Sequence, residues 1–380
     1  MFISKLPNTG TNIFSTMSAL ALQHNAINLG QGFADYPMNQ SLCNLVQKHM
    51  LLDKNQYAPM AGVPELSQAI CNKTTKLYNK SFDIDHEITI TPGGTYAIYT
   101  ALTAIMQPGD EVIILEPAYD SYLANIEMNG GVAVLVPLNT PDFSVDWQKV
   151  KNAVTAITKA IIVNTPHNPG SYIFTPQDWQ SLTEIVNNTN MYIISDEVYE
   201  HIILDGAQHE SILRYPALWG RCFAVFSFGK VFHNTGWKLG YCIAPKQLMN
   251  EYKKIHQFIA FTCNTPMQYA IAEFLQNENE YLQLPAFFQH KRDLFLNAMQ
   301  DSGFTLYQKA AGSFFQTMGY QAISCRKDTD FAIWLAQEFK VATIPVSAFY
   351  KNGSNEKLVR FCFAKKDETL LAAAERLRKI

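Results

Sequence analysis

At 380 residues, 48% hydrophobic and 17% charged, with a formal net charge of −3, the chain has ordinary globular composition and length enough for a sizeable core and more than one domain. No Lys/Arg cluster stands out, which argues against nucleic-acid binding, and the longest apolar runs fall far short of the ~18 residues a membrane span needs. The N-terminal Met1-Phe-Ile-Ser-Lys-Leu-Pro7 lacks the sustained apolar core and small-residue cleavage site of a secretory signal.

Taken in order, the chain opens with a helical stretch at about Ile13 to Gln23, followed by Ile27-Asn-Leu-Gly30-Gln31-Gly32-Phe33. The two close glycines suggest a backbone passing near something, but the dinucleotide fingerprint is missing. Helices are expected from Ser41 to Leu52 and from about Pro64 to Tyr78, with Pro64 suited to the first helical position. The loop between them is Asn55-Gln-Tyr57-Ala-Pro-Met-Ala-Gly62. The pattern then alternates. Short apolar runs at Ile88–Ile90, Glu111–Leu115, Val132–Val136, Ala160–Val163, Met191–Ile194, Cys222–Phe226 and Tyr241–Ala244 read as strands. Helical segments are expected after Gly94 to about Met106, between Asp142 and Ala160, and at about Pro176 to Asn187. Strands alternating with helices predict an α/β fold with a largely parallel sheet, expected here to have seven strands covered on both faces.

After Pro245 the reading changes. A helical region is expected from Gln247 to about Tyr281, interrupted near Thr265-Pro266, with a boundary near Pro285 and a further helix over Phe287 to Ser302. Phe304–Tyr307, Ser313–Thr317 and Leu358–Phe363 are candidate strands, and Asp328–Phe339 and Glu368–Arg378 candidate helices. This segregation predicts a smaller α+β domain. The expected organisation is a large domain over 43–284 and a small one from 1–42 with 285–380. The 7 cysteines are an odd number with no Cys-x-x-Cys pair. They read as buried, reduced thiols in a cytoplasmic protein, with no structural metal expected.

In an open parallel sheet, ligands bind at the carboxyl ends of the strands. Reading those ends in turn collects Gly93-Gly94-Thr95, Tyr119, Asn164 to Asn168, Ser195-Asp196-Glu197-Val198-Tyr199, and Ser227 to Lys230. Gly94 and Thr95 at a helix N-terminus offer free backbone N–H groups and the positive dipole end, which suits a phosphate. Ser227 and Lys238 can add a hydroxyl and a cation. Asp196 ends an apolar strand, and a buried carboxylate needs a cationic or donor partner such as a protonated ring nitrogen. Asn168 and Tyr199 are neutral donors for a phenolate-like oxygen, and Tyr119 offers a face to a flat heterocycle. Lys230, just past a buried strand among Phe226, Phe228, Phe232 and Trp237, is costly to keep charged, and a neutral amine can attack an aldehyde. Each signal alone has an ordinary explanation as a turn, a cap or a core aromatic. Together they describe a site for pyridoxal 5′-phosphate, the electron sink for carbanions at Cα of amino acids.

With those residues on the page, the chain resembles a fold-type I pyridoxal-phosphate aminotransferase of class I, and within it the methionine and kynurenine aminotransferase branch. The likeness spans nearly the whole chain. It is carried by Asn28–Phe33, Asn55-Gln-Tyr57, Thr91-Pro-Gly-Gly94, Asp110–Pro117, Asn164–Pro169, Ser195–Tyr199, Ser227-Phe-Gly-Lys230, Thr235-Gly-Trp-Lys-Leu-Gly240 and Val359–Phe363. The resemblance implies that Lys230 carries the cofactor and that Asp196 partners the pyridine nitrogen. Asn168 and Tyr199 would hold the ring oxygen, Gly94, Thr95, Ser227 and Lys238 the phosphate, and Tyr119 would stack. It makes Tyr57 the residue reaching a neighbouring subunit's phosphate, hence a homodimer with shared sites. Arg360 becomes the grip on the substrate carboxylate, a task for which a guanidinium fork suits better than an ammonium, and Gly32 a lining position of the substrate site. Lys238 stands where many class I members have arginine, as it does in this branch, whereas Gly170-Ser171-Tyr172 departs from the usual continuation after Asn168-Pro169.

The expected reaction moves the amino group of an amino acid to a 2-oxo acid, with Lys230 as base and then acid at Cα. Phe33, Tyr57 and Tyr119 suggest an apolar pocket, favouring methionine, aromatic amino acids or kynurenine as donors over an acidic one. A cysteine-S-conjugate β-lyase on the same scaffold would share every residue named. A nicotinamide dehydrogenase is disfavoured by the missing Gly-x-Gly-x-x-Gly, and a DNA-binding regulator by the lack of length before Gln31.

Overall fold

The structure is a computed structural model that describes residues 4–7, 10 and 12–380. Met1–Ile3, part of the N-terminal stretch read above, lie outside the described residues. The molecule is built on a seven-stranded sheet whose order from one edge is Ile88–Thr91, Gly240–Ile243, Cys222–Ser227, Tyr192–Asp196, Thr158–Asn164, Glu111–Glu116 and Val132–Pro137. Gly240–Ile243 runs antiparallel to both its neighbours, and the remaining pairs are parallel.

The strands are near-continuous apolar runs because both faces are covered. Successive side chains alternate between them. Ile113, Leu115, Ile161, Val163, Ile193, Ala224 and Phe226 enter one core, while Val112, Ile114, Ile162, Ile194, Phe223 and Val225 enter another, beneath the Gly94–Ile105 helix. From Glu111–Glu116 the chain moves outward to Val132–Pro137, then returns to Thr158–Asn164 on the other side. The order therefore reverses between Glu111–Glu116 and Thr158–Asn164, and the crevice at that point is where an open α/β sheet binds ligands.

The C-terminal part adds a three-stranded antiparallel sheet of Ile344–Pro345, Leu358–Cys362 and Phe315–Gly319. The N-terminal segment is woven into this region. Ile27–Asn28 pairs in parallel with Val341–Ala342, and Cys362 donates its backbone N–H to the Leu29 carbonyl at 2.7 Å.

Some expected elements differ. Phe304–Tyr307 makes only a single bridge, Thr305 to Gly319, because Phe304 alone of the four is buried. The helical region after Pro245 divides into Lys246–Ile259 and Thr265–Phe274, with Asn264 capping the second through Met267. Pro285 sits in the first turn of the Leu284–Ala298 helix, where its missing N–H costs nothing. The Asp328–Trp334 helix loosens into a π-helical turn at Leu335–Phe339, ended by left-handed Lys340. The helix Ser121–Met128 and the Ile27–Asn28 strand had no clear sequence signal.

Candidate active site

The carboxyl ends of the strands open onto a cavity of about 510 Å³. Lys230 reaches it from the single helical turn Phe228–Val231 that follows Cys222–Ser227. Its amine donates to the Gly32 carbonyl at 3.3 Å and lies 5.7 Å from the ring centres of both Tyr199 and Phe314. The ammonium lies in a partly buried site, and its desolvation, aided by the cationic Arg360 and Lys238, lowers its pKa to about 8 against the pull of Cys362 and Asp196.

Asp196 ends its strand with a buried carboxylate. Tyr122 donates its hydroxyl to Oδ2 at 2.5 Å, and the Val198 N–H reaches Oδ1 at 3.2 Å. Burial pushes the carboxyl up to about 6 despite these donors and the nearby Lys230. Asn164 ties two strand ends together. Its Nδ2 donates to the Asp196 carbonyl at 2.9 Å, and its Oδ1 accepts the Asn168 N–H at 2.8 Å.

Arg360, 1% exposed, projects from Leu358–Cys362. Its Nη1 donates to Asn168 Oδ1 at 2.6 Å and its Nη2 to the Gly30 carbonyl at 2.8 Å. The guanidinium lies 3.8 Å from the Phe315 ring centre, with Phe349 and Phe14 further off. Burial lowers its pKa to about 10, still well above neutrality. Arg360 Nε is buried with no protein partner. An unpaired buried donor costs about 1–3 kcal/mol, which an arriving acceptor removes.

At the other end, Gly93 takes φ +83° and turns the chain into the Gly94–Ile105 helix, whose first N–H groups face the cavity. A side chain on Gly94 would meet Val198 at 2.9 Å, so the helix can approach this closely only with glycine there. Lys238, itself left-handed at φ 52°, sets its amine 3.5 Å from where a Gly93 Cβ would stand. Ser227 lines the same end. Tyr119 lies in the cavity wall, edge-on to Tyr122 at 5.8 Å, and burial raises its hydroxyl pKa. Tyr199 is wedged edge-on against Phe314 and Phe315, with its hydroxyl pKa raised by burial.

The structure thus gathers Gly32, Phe33, Gly94, Thr95, Tyr119, Asn168, Asp196, Tyr199, Ser227, Lys230, Lys238 and Arg360 around one cavity. Phe33 sits at its mouth, half exposed, its carbonyl held by Lys365 at 2.7 Å. Tyr57 is not among them. It is 82% exposed, packs edge-on against Phe261, and lines a separate cleft with Met50, Cys263 and Pro266. Tyr122, Phe14 and Phe315 also line the main cavity and escaped the sequence reading. Each is an aromatic that carries no signal beyond that of a core residue.

The family profile described as aminotransferase class I and II matches residues 24–377. The chain is 46% identical over 378 residues to a methionine aminotransferase of Escherichia coli strain K12, covering 99% of this chain and 98% of that one. It is 34% identical to kynurenine–oxoglutarate transaminase 3 of Rattus norvegicus, covering 97% and 87% respectively. The solved structure of Escherichia coli YbdL, described with a methionine aminotransferase function, superposes with a TM-score of 0.98 at 45% identity over 100% of both chains. Sequence and architecture agree: the chain belongs to the aminotransferase class I and II family, has the fold-type I architecture and is an aminotransferase.

Proposed function

We propose that the chain is a pyridoxal 5′-phosphate-dependent aminotransferase that moves the amino group of methionine, or of another apolar or aromatic L-amino acid such as kynurenine, to a 2-oxo acid. Aminotransferases of this family use that cofactor. The observation that carries the reading is one cavity lined by the desolvated Lys230 amine, the buried Asp196 carboxylate and the buried Arg360. The residues fit the cofactor at each end. Backbone N–H groups at Gly94 and Thr95, the Ser227 hydroxyl and the Lys238 cation form an anion site. Asp196 suits a protonated ring nitrogen. Asn168, whose Oδ1 is occupied by Arg360, keeps its amide N–H groups for an acceptor such as the ring oxygen, beside the Tyr199 hydroxyl.

Bound there, pyridoxal phosphate supplies an aldehyde for the amino group and an electron-accepting ring for the pair left at Cα. The chain's own residues do the rest. Arg360 grips the substrate carboxylate and so fixes which Cα bond faces Lys230. A neutral Lys230 amine accepts the Cα proton and later gives one back, and a pKa of about 8 suits both directions near neutrality. Asp196 stabilises positive charge at the ring nitrogen in a site with little water to screen it. Phe14, Phe33 and Phe315 give the cavity an apolar wall, and among the cationic side chains lining it, Lys230, Lys238 and Arg360 already have tasks. This favours an uncharged donor side chain over an acidic one, in line with the methionine aminotransferase likeness.

On this reading 43–284 forms the cofactor-binding domain, with 1–42 and 285–380 as the domain that completes the substrate side. The enzyme works as a homodimer in the cytoplasm. Tyr57, Phe258 and Phe261 are large apolar side chains left in solvent, as a subunit interface requires. All seven cysteines are free, as in a reducing compartment, although burial holds only for Cys71, Cys222, Cys242 and Cys362, with Cys43 and Cys263 partly accessible and Cys325 exposed; among the described residues no helix is long and apolar enough to cross a membrane. A panel of amino donors against several 2-oxo acids, read by spectral conversion of the bound cofactor, tests the reading. Methionine and aromatic donors should convert it fastest; fastest conversion by aspartate would refute the donor class. A cysteine S-conjugate giving pyruvate, ammonia and thiol without a 2-oxo acid would reveal β-elimination instead.

A further inference from the structure

Tyr122 has no place in the mechanism above, yet it is the side chain that touches Asp196. It stands in the first turn of Ser121–Met128, is 2% exposed, and lines the cavity floor. Its hydroxyl has one partner, Asp196 Oδ2 at 2.5 Å. Asp196 cannot act as the donor and still serve as an anionic acceptor for a ring nitrogen, so in the working enzyme the proton belongs to Tyr122. The phenol agrees: burial and the neighbouring carboxylate raise its pKa far above neutrality. With Val198 N–H on Oδ1, each carboxylate oxygen has one fixed donor, which sets the plane of the group and leaves its remaining lone pairs for a ligand. The other titratable groups near Asp196 are Lys230, Glu197, Tyr119 and Tyr199. None of these side chains hydrogen-bonds it, so no other residue can take over what Tyr122 does.

We propose that Tyr122 is a positioning residue for the aminotransferase reaction, whose hydroxyl orients Asp196 and keeps it an anionic acceptor for the cofactor's ring nitrogen. The inference rests on the reading above that Asp196 receives that nitrogen. Without the hydroxyl, a carboxylate already disfavoured by burial loses its shortest hydrogen bond and more readily takes up a proton. The ring nitrogen then loses its charged partner and gives up its own proton, which weakens the electron sink at the point where charge accumulates.

Tyr122→Phe tests this while keeping every carbon contact of the ring, including the edge-on packing against Tyr119. Wild-type and variant proteins are loaded with pyridoxal phosphate labelled with 15N in the ring, and the nitrogen resonance is followed by NMR beside steady-state kinetics. In the variant the resonance should move toward the unprotonated position. The kcat should fall about 10- to 100-fold, the scale of loss when a hydrogen-bond partner of a functional ligand is removed, while KM for the donor stays near wild type because Arg360 is untouched. An unshifted resonance together with an unchanged kcat would reduce Tyr122 to packing and overturn the proposal. Wild-type protein that takes up no cofactor would instead refute the functional reading, so the two failures are distinguishable.

Discussion

Arg360 Nη1 lies 2.6 Å from Asn168 Oδ1, so the group assigned to the substrate and a group assigned to the cofactor form one hydrogen-bonded unit. Because Asn168 is held in turn by Asn164, and Asn164 by the Asp196 carbonyl, the unit runs from the guanidinium to the backbone of Asp196.

Arg360→Ala should therefore raise KM for both amino donor and 2-oxo acid, and also disturb cofactor binding through Asn168. Truncating one partner of a buried charge-assisted pair costs about 2–5 kcal/mol, equivalent to about 30- to 5,000-fold in kcat/KM. Arg360→Lys should recover little of it, since an ammonium cannot replace the fork. Steady-state kinetics with each substrate checks both, and unchanged KM values in Arg360→Ala would contradict the assigned role.

Lys230 makes a prediction about pH. With its pKa lowered to about 8 by desolvation, the neutral amine is the minor form below that value and the major form above it. The rate at which cofactor-free protein captures pyridoxal phosphate covalently should climb about tenfold per pH unit up to about 8 and then level off, whereas a lysine at its ordinary value would keep climbing for about two more units. Stopped-flow absorbance measures this directly. Lys230→Ala should show no covalent capture at any pH, leave no borohydride-fixed label at residue 230 and have no turnover.

Directly after Tyr199, Glu200 forms a buried knot. It accepts from Lys73 at 2.5 Å, Tyr78 at 2.6 Å and Tyr241 at 3.1 Å, with both charged side chains 3% exposed. Against the opposing effect of burial, Lys73, with His201 and the Tyr78 hydroxyl, holds its carboxyl down to about 2. A folded-state pKa below the ordinary 4.5 means stability that is full above about 4.5 and lost as pH falls toward about 2. Glu200→Gln should cost about 3–5 kcal/mol at neutral pH by leaving Lys73 buried and unpaired. It should also flatten the acid limb of the denaturation curve. The double variant Lys73→Met/Glu200→Leu should be less destabilised than either single one, which chemical denaturation can establish.

Tyr57 provides the test of shared sites. Tyr57→Ala should weaken cofactor affinity but leave the Lys230 amine intact. When Tyr57→Ala protein is unfolded and refolded with Lys230→Ala protein, one site of each mixed dimer holds an unaltered Lys230 and an unaltered Tyr57. About a quarter of all sites should then regain wild-type cofactor affinity if mixing is random. Sedimentation showing a monomer, or no recovery on mixing, would remove the shared-site dimer from the proposal.

What the sequence disclosed follows from how this fold exposes its chemistry. Lys230, Asp196 and Asn168 were legible because each follows an apolar run long enough to be a strand, and polar residues just past such runs stand out. The Gly93-Gly94-Thr95 turn was legible for the same reason. Tyr122 was hidden because a tyrosine in a two-turn helix, followed by Leu123 and Ala124, looks like any core aromatic; only the fold brings its hydroxyl to a carboxylate 74 positions away. Phe14 belongs to the N-terminal helix and reaches the cavity through the pairing of Ile27–Asn28 with Val341–Ala342, a contact that local periodicity cannot forecast. Phe304–Tyr307 failed as a strand because alternation over four residues, without a full-length partner, is too weak a signal.

That same pairing of the first strand with residues near the C-terminus makes the two ends of the polypeptide a single mechanical piece. Gly30, whose carbonyl accepts a hydrogen bond from the Arg360 guanidinium, and Gly32, whose carbonyl accepts one from the Lys230 amine, both follow this strand. A substitution that loosens this segment should therefore disturb the Arg360 guanidinium and the Lys230 amine together.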